Sequence, residues 1–145
     1  MALKGLLLRP FGEIGAGVSV MDASRIMNER KLGALPVLKG DKLGGIFTYR
    51  DLVDRIVLAK RDPETTTLGD VMTKDVDTLT VDASYGDALR LMVARDYTYL
   101  PILHDDGRLA GLLSLRDLLE HRIDHLASEL DSVSQYLAVD GPGGD

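Results

Sequence analysis

Apolar residues along the chain fall into segments of two periods, one typical of helices and one typical of short strands. From Ser19 onward they recur every three or four residues, which predicts a helix with one buried face. Two short apolar runs follow at 34–38 and 43–47, and the polar turn residues between them predict an antiparallel hairpin. A second helix is predicted over residues 49–60.

The same succession occurs again in the second half of the chain. A helix is predicted from Ser84, strands at 99–103 and 109–113, and a further helix from Leu115 onward. Ser19 and Ser84 are each followed three residues later by an aspartate, which is the spacing of a capping box. A short apolar segment opens each unit, at Leu3 and at Leu68, and predicts a short lead-in helix.

A direct comparison of the two halves shows that the chain is an internal duplication. Shifted by 65 places, residues 3–41 lie on 68–106 with 11 identities in 39 positions. One extra residue near Gly107 changes the shift to 66, and residues 42–57 then lie on 108–123 with five more identities. An internal repeat of this kind says more about the fold than any single motif in the sequence.

The repeat predicts the domain plan. We expect units at 3–61 and 68–123, a linker at 62–67, a C-terminal helix at 124–139 and a flexible tail at 140–145. One such unit cannot cover its own apolar face, so two should cover each other around a pseudo-twofold axis, leaving two equivalent clefts at the seam. The predicted fold class is α/β: two β-α-β-β-α repeats packed sheet to sheet, with a C-terminal helical extension.

Composition narrows the function classes. The 145 residues include no cysteine, which excludes disulfides, thiolate metal sites and a cysteine nucleophile. A net charge of −6 disfavours binding to nucleic acid or to an anionic membrane. No apolar run reaches the ~20 residues of a membrane helix, and the apolar start is too short for a secretory signal. We therefore expect a cytoplasmic protein.

The junction between second strand and second helix has one seven-residue form in both units. It reads Gly45-Ile46-Phe47-Thr48-Tyr49-Arg50-Asp51 in the first and Gly111-Leu112-Leu113-Ser114-Leu115-Arg116-Asp117 in the second. A hydroxyl followed three residues later by aspartate is first of all a capping signature. The other interpretation is a nucleotide site, in which the glycine admits a ligand, the hydroxyl and helix amides bind phosphate, and the aspartate accepts from ribose. The matched glycines favour the second interpretation.

With these strings in place, the sequence resembles a tandem pair of cystathionine-β-synthase (CBS) domains, a Bateman module, over residues 3–123. The resemblance also rests on Gly33-Ala34-Leu35-Pro36-Val37, on Tyr99-Leu100-Pro101-Ile102, and on Asp70-Val71-Met72-Thr73 before the second unit. It implies that adenosine-containing ligands (AMP, ADP, ATP, less often S-adenosylmethionine) bind in the clefts between the repeats and regulate a partner protein.

The resemblance also implies individual roles. It assigns the ribose to Asp51 and Asp117 and a phosphate to Thr48 and Ser114. The cations next to these residues, Arg50 and Arg116, are candidate phosphate ligands or else solvated helix residues. The residues implied to enclose adenine are Gly33, Ala34, Pro36, Tyr99, Pro101, Ile14, Ala16, Leu79 and Val81.

The two clefts are expected to differ. Tyr99 stands where the first unit has Ala34, so it either fills the adenine slot of the second unit or stacks in it. The glycine-rich stretch before the first helix has no counterpart in the second unit. We expect the two clefts to bind with different affinity, and one to stay empty.

No enzyme is predicted, because no nucleophile with a base, no acid–base pair and no phosphate loop with lysine occurs. No catalytic cofactor or metal is expected either, since His121 and His125, four residues apart, lack a third strong ligand.

The C-terminal helix has a coiled-coil-like stripe, which either packs within the chain or forms a homodimer. Its members are Leu119, Ile123, Leu126, Leu130, Val133 and Leu137. The favoured function is an adenine-nucleotide sensor acting as a homodimer, and the alternative is a ligand-free dimerisation or interaction scaffold.

Overall fold

The computed structural model of the chain describes the backbone of residues 3–11 and 14–140, with side chains up to residue 135. In the first repeat, the elements after a 3-10 turn (Lys4–Leu6) are α1 (Val20–Arg30), β1 (Ala34–Lys39), β2 (Lys42–Thr48) and α2 (Tyr49–Asp51). The second repeat contains α3 (Leu68–Val71), β3 (Leu79–Thr80), α4 (Tyr85–Arg95), β4 (Tyr99–Leu103), β5 (Leu109–Ser114) and α5 (Leu115–Asp140).

The first long helix of each repeat begins where the serine spacing predicts. The hydroxyl of Ser19 accepts from the amide of Asp22 at 3.0 Å, and the hydroxyl of Ser84 accepts from the amide of Asp87 at 3.0 Å. Each carboxylate also pairs with an arginine three residues further on, Asp22 with Arg25 and Asp87 with Arg90, both at 2.8 Å.

The second helix of the first repeat differs from the continuous helix predicted over 49–60. After α2 the backbone continues as a π-helix (Leu52–Val57), and the Leu58 amide donates to the Val53 carbonyl at 2.9 Å. The wider turn buries Ile56 while Arg55 donates to the carbonyls of residues 71 and 72. A π-helix is uncommon and often lies at a functional site.

Two antiparallel hairpins, β1–β2 and β4–β5, form the sheets, and β3 adds a parallel third strand to the second hairpin. The segment at the start of each repeat, ahead of its first long helix, pairs with the hairpin of the other repeat. Thr73 exchanges two backbone hydrogen bonds with Ile46 at 2.8 and 2.9 Å, and Leu8 exchanges two with Leu112 at 2.8 and 3.0 Å. The repeats are therefore tied together by exchanged lead-in segments.

The core follows the duplication, with one buried cluster centred on each repeat and Leu112 of the second contributing to the first. The linker predicted at 62–67 is fastened to α1, since the carbonyls of Pro63 and Thr66 accept from the amides of Met21 and Val20 at 2.9 Å. The α/β fold class with a C-terminal helical extension is confirmed.

The C-terminal helix and the tail expected after it are described only in part. The side chain of Leu137 and residues 141–145 of the expected tail lie outside the described residues. None of the helices in the described part of the chain combines the length and hydropathy needed to cross a bilayer.

Candidate functional site

A cavity of about 550 Å³ opens at the seam between the repeats, a size common for small-molecule sites. Seven of the predicted site residues line it, and they come from both halves of the chain. They are Gly33, Ala34, Thr48, Arg50, Asp51, Tyr99 and Pro101. The other lining residues were given no role from the sequence: Ile46, Tyr49, Thr73, Asp75, Val76, Asp77, Arg95, Asp96, Tyr97 and Thr98. We call this cavity the first cleft.

Thr48 and Asp51 form a complete capping box at the start of α2. The Asp51 amide donates to Thr48 Oγ1 at 3.2 Å, and the Thr48 amide donates to Asp51 Oδ2 at 3.0 Å. The Thr48 hydroxyl also lies 3.2 Å from Asp51 Oδ2, to which it donates. The capping interpretation of this pair is therefore correct, and any ligand role must coexist with it.

Asp51 is the most enclosed carboxylate at the site, with 5% of its surface exposed. Besides its two bonds to Thr48, it accepts from the Thr73 hydroxyl, which lies 3.1 Å from Oδ1 and 3.3 Å from Oδ2. The guanidinium of Arg55 is 3.6 Å from Oδ1. Arg55 is mainly structural, because it also donates to the carbonyls of Val71 and Met72. Asp51 thus joins α2 to the exchanged lead-in segment.

The backbone amides expected to bind an anion at this junction are largely taken. The Thr48 and Asp51 amides serve the capping box, and the Tyr49 amide donates to the Gly33 carbonyl at 3.0 Å. Fewer free amides are consequently left at α2 than the sequence indicates, and Arg50, which is exposed, is the cation of this junction that lines the cavity.

The matched glycines do not admit a ligand, and that part of the sequence interpretation is wrong. A Cβ on Gly45 would lie 2.6 Å from the Thr73 carbonyl oxygen, and a Cβ on Gly111 would lie 2.9 Å from the Leu8 carbonyl oxygen. The group that approaches each glycine is the lead-in segment of the other repeat. Both glycines are thus required by the chain exchange and not by a nucleotide.

Tyr99 crosses the seam and separates the first cleft from a second one. Its hydroxyl accepts from the Gly33 amide at 3.1 Å, and a Cβ on Gly33 would lie 3.2 Å from the Tyr99 ring and 3.4 Å from the Tyr49 ring. Gly33 therefore makes room for two aromatic rings at the mouth of the first cleft. Such rings offer flat faces on which a purine can stack.

The wall contributed by the second repeat is acidic. Tyr97 donates to Asp77 at 2.6 Å, and Arg95 lies 3.8 Å from the same carboxylate. The hydrogen bond to Asp77, together with burial, raises the pKa of Tyr97. Asp75 and Asp96 complete this wall. Counting both walls, the first cleft holds four carboxylates and two guanidinium groups.

The second cleft is a shallower groove of about 410 Å³ beside the start of α5. Its lining residues are Thr98, Tyr99, Ser114, Leu115, Arg116, Leu119, Glu120 and Ile123. Ser114 Oγ accepts from the Asp117 amide at 2.9 Å, but the Asp117 carboxylate has no hydrogen-bond partner among the described residues. Leu8 occupies the ladder position equivalent to Thr73, so it offers no hydroxyl there.

Five predicted adenine contacts and Asp117 do not line either cleft. Ile14 is fully buried in the first core, Pro36 is buried in β1, and Ala16 accepts from the Gly69 amide with its carbonyl at 2.9 Å. Leu79 and Val81 pack into the second core.

The physical reason for this placement is that these segments extend the sheets. Gly15 bridges Leu38, and Leu79 pairs with Ile102. Thr73 and residues 75–77 line the first cleft, and no role was predicted for them. The string Asp70-Val71-Met72-Thr73 was the signal for that segment, since it begins the exchanged stretch.

The histidines of α5 show no metal geometry. His125 lies 3.1 Å from Glu129, and no cluster of metal-binding side chains occurs in the part of the chain that the structure describes.

Comparison with known proteins identifies the repeats. The family model of the CBS domain matches residues 7–58 and again residues 68–124. Inosine-5'-monophosphate dehydrogenase of Methanocaldococcus jannaschii is 41% identical over 105 residues, which cover 72% of this chain and 20% of that enzyme. The chain spans between 20% and 64% of the length of the first curated relatives that it matches.

Solved structures share the fold. The crystal structure of the CBS domain NE2398 has a TM-score of 0.75 at 33% identity, covering 84% of this chain and 98% of that one. The CBS domain pair of protein MJ0100, solved with 5'-methylthioadenosine and S-adenosyl-L-methionine, has a TM-score of 0.75 at 22% identity over 86% of this chain and 98% of that one. CBSX2, solved with AMP, has a TM-score of 0.72 at 22% identity over 85% and 96%.

Proposed function

The chain belongs to the CBS-domain family, and on that premise we propose that it is a regulatory module that binds an adenosine-containing ligand in the first cleft. The observation that carries the proposal is the composition of that cleft. Thr48 and Asp51 come from the first repeat, while Tyr97 and Tyr99 come from the second. A ligand held there contacts both repeats and changes the free energy of their relative arrangement.

The chemistry of the walls fits a nucleoside. Tyr49 and Tyr99 at the mouth, with Val76 on the lead-in segment, give apolar and aromatic surface for a flat base. The Asp51 carboxylate accepts from the ribose hydroxyls, which replace the Thr73 hydroxyl as donors. Arg50 meets the phosphate. Binding of micromolar strength requires about −8 kcal/mol, which stacking, ribose hydrogen bonds and one charge pair can supply together.

The charge of the first cleft favours ligands with few phosphates. Four carboxylates and two guanidinium groups line the cleft, and a third guanidinium, that of Arg55, lies 3.6 Å from Asp51. Acidic groups are still in excess and oppose each added negative charge, and Arg95 is already beside Asp77. AMP, adenosine and the sulfonium cation S-adenosylmethionine are thus better matched than ADP or ATP. AMP, crystallised with CBSX2, and S-adenosyl-L-methionine, one of the two ligands crystallised with protein MJ0100, belong to this set.

The proposed role is signalling and not catalysis. The module shifts between open and closed arrangements of its repeats, and a regulated protein in the cytoplasm reads the difference. A homodimer is part of the proposal, because α5 extends beyond the second repeat with an exposed apolar stripe.

The second candidate is a ligand-free interaction scaffold. The complete capping box between Thr48 and Asp51 favours it, because both side chains have a structural role without any ligand. In a scaffold, the cleft would be a by-product of the way in which the repeats pack.

Isothermal titration with AMP, adenosine and S-adenosylmethionine distinguishes the two, using protein first freed of any co-purified ligand identified by mass spectrometry. Arg50 and Arg116 hold equivalent positions in the repeats and give a matched pair of variants. We expect Arg50→Ala to weaken AMP binding about tenfold, equal to about 1.4 kcal/mol, with adenosine unaffected. Arg116→Ala should leave both affinities unchanged. Absence of heat with all three ligands would leave only the scaffold.

A further inference from the structure

The long helix α5 carries an apolar stripe that the described part of the chain does not cover. Leu119, Ile123, Leu126, Leu130 and Val133 are between 41% and 67% exposed. They recur at steps of four and three residues, so they form one continuous seam over more than three turns of helix. Exposed apolar surface of this regularity marks an interaction site.

We propose that the stripe binds the same helix of a second copy, with the two helices antiparallel and their midpoint between residues 124 and 125. The alternating spacing is the pattern with which one helix packs against another that has the same pattern. In this alignment Ile123 faces Leu126 of the second copy, and Leu119 faces Leu130 of the second copy. Four apolar layers then lie around the twofold axis.

Charge complementarity selects this orientation. Arg122 and Glu129 flank the seam, and in the antiparallel alignment each lies beside the opposite charge of the second copy. A parallel pair would place Arg122 beside Ala127 and Glu129 beside Ser134, with no charge pair. Sliding the antiparallel helices by half a heptad would bring Glu129 against its own copy, which is unfavourable.

Both flanking side chains are free to turn toward a second copy. Glu129 is 59% exposed and lies 3.1 Å from His125 on its own helix, an exposed contact of little energetic weight. The Arg122 guanidinium lies 5.6 Å above the Tyr85 ring and is also exposed. Neither contact fills the seam.

In the antiparallel alignment, the helix of the second copy also reaches the second cleft. α5 has 26 residues and is therefore about 39 Å long, so the helix of the second copy extends roughly 23 Å past the midpoint. Leu115, Leu119 and Ile123 continue the seam into the groove beside Ser114. The helix of the second copy therefore covers this groove, and the first cleft is left as the open site. The inference deepens the homodimer of the proposed function, but no step in it involves a nucleotide.

Cysteine cross-linking tests the alignment cleanly, because the chain has no cysteine of its own. Ile123→Cys and Leu126→Cys are prepared separately, oxidised alone or as an equal mixture without nucleotide, and resolved on non-reducing gels. We expect a disulfide-linked dimer in the mixture, because position 123 faces position 126 of the second copy. Either variant alone should give monomers, because neither position faces itself. A dimer from Ile123→Cys alone would overturn the antiparallel alignment.

Sedimentation equilibrium tests the association itself. The wild-type chain should be a dimer, Arg122→Glu should weaken it at least tenfold, and addition of Glu129→Arg should restore it. The control Asp131→Lys, on the outer face, should have no such effect. A wild-type monomer, or a double variant no better than Arg122→Glu, would overturn the proposal. Because these assays contain no nucleotide, failure here is distinguishable from failure of ligand binding.

Discussion

The hydroxyl of Thr73 donates to the buried carboxylate of Asp51, 3.1 Å from one oxygen and 3.3 Å from the other. This bond joins the segment that leads into the second repeat to the helix start of the first. The equivalent ladder position beside the second repeat is held by Leu8, which has no hydroxyl. The two copies of the motif therefore differ in the state of their aspartates: Asp51 accepts from Thr48 and Thr73, and the Asp117 carboxylate has no hydrogen-bond partner among the described residues.

Replacement of Thr73 by valine separates the two roles of Asp51. Valine keeps the shape but removes the donor, so the free energy of unfolding should fall by about 1 kcal/mol. Because the ribose then no longer competes with the hydroxyl, AMP affinity should rise about two- to fivefold, as measured by calorimetry. A tenfold loss of affinity would show that Thr73 itself contacts the ligand. The matched control, Thr78→Val on the same segment, should leave AMP affinity unchanged.

Alanine at either glycine of the chain exchange should lower the free energy of unfolding, and by a similar amount in the two repeats. A Cβ at Gly45 or Gly111 meets a backbone carbonyl below 3.0 Å, so alanine at either position should destabilise the fold by about 1–3 kcal/mol. Gly5→Ala and Gly17→Ala are controls, since nothing lies within 4 Å of a Cβ there, and they should change stability by less than about 0.5 kcal/mol. Urea denaturation measures all four. Alanine tolerated at both exchange positions would contradict the exchanged pairing.

The acidic residues contributed by the second repeat predict an order of binding affinity among the nucleotides. Affinity should fall from AMP to ADP to ATP, because each added phosphate brings negative charge toward Asp75, Asp77 and Asp96. Replacing Asp75 and Asp96 by asparagine should raise ATP affinity more than AMP affinity, and the difference should shrink in high salt. Competition titrations at two ionic strengths measure this. ATP binding more tightly than AMP to the wild type would contradict it.

Tyr97 predicts a pH dependence of stability. Its hydrogen bond to Asp77 raises its pKa in the folded state, so the neutral phenol is the form that the fold favours. A raised folded-state pKa gives a contribution that is complete below the unfolded value of about 10 and is lost as pH rises through the folded value. The stability gap between wild type and Tyr97→Phe should be constant from about pH 7 to 9 and close above about pH 10. Denaturation curves across this range test it; a gap that widens with pH would contradict the assignment.

Much of the fold is predictable from the sequence because the duplication repeats the apolar and turn-residue pattern of each element. The four hairpin strands lie within one or two residues of their predicted bounds, since apolar runs and turn residues define them. The π-helix (Leu52–Val57) was not predictable, because it goes with a tertiary contact in which Arg55 donates to carbonyls of the second repeat. The exchange of lead-in segments was not predictable either, because it depends on tertiary structure. The matched glycines Gly45 and Gly111 are the sequence feature that goes with it.

The candidate site was predictable only in part. Thr48 and Asp51 lie in one motif of fixed spacing, Gly33 and Tyr99 lie in the two strand strings that carry the resemblance, and the structure brings all four to one cavity. The residues of the cleft from Asp75 to Tyr97 come from two segments of the second repeat that are distant in sequence and meet where Tyr97 donates to Asp77. No local spacing links them. Ile14 and Leu79, which the resemblance implied to contact adenine, pack in the two cores, whereas Thr73 and residues 75–77 line the first cleft.

NMR titration with AMP tests most directly whether the first cleft is the sensor site. If AMP binds there, the amides of Ala34, Thr48, Thr73, Val76 and Tyr97 should show saturable shift changes, and those of Ser114, Leu115 and Ile123 should not move. Shifts centred on Ser114 and Ile123, or none at millimolar AMP, adenosine and S-adenosylmethionine, would contradict it.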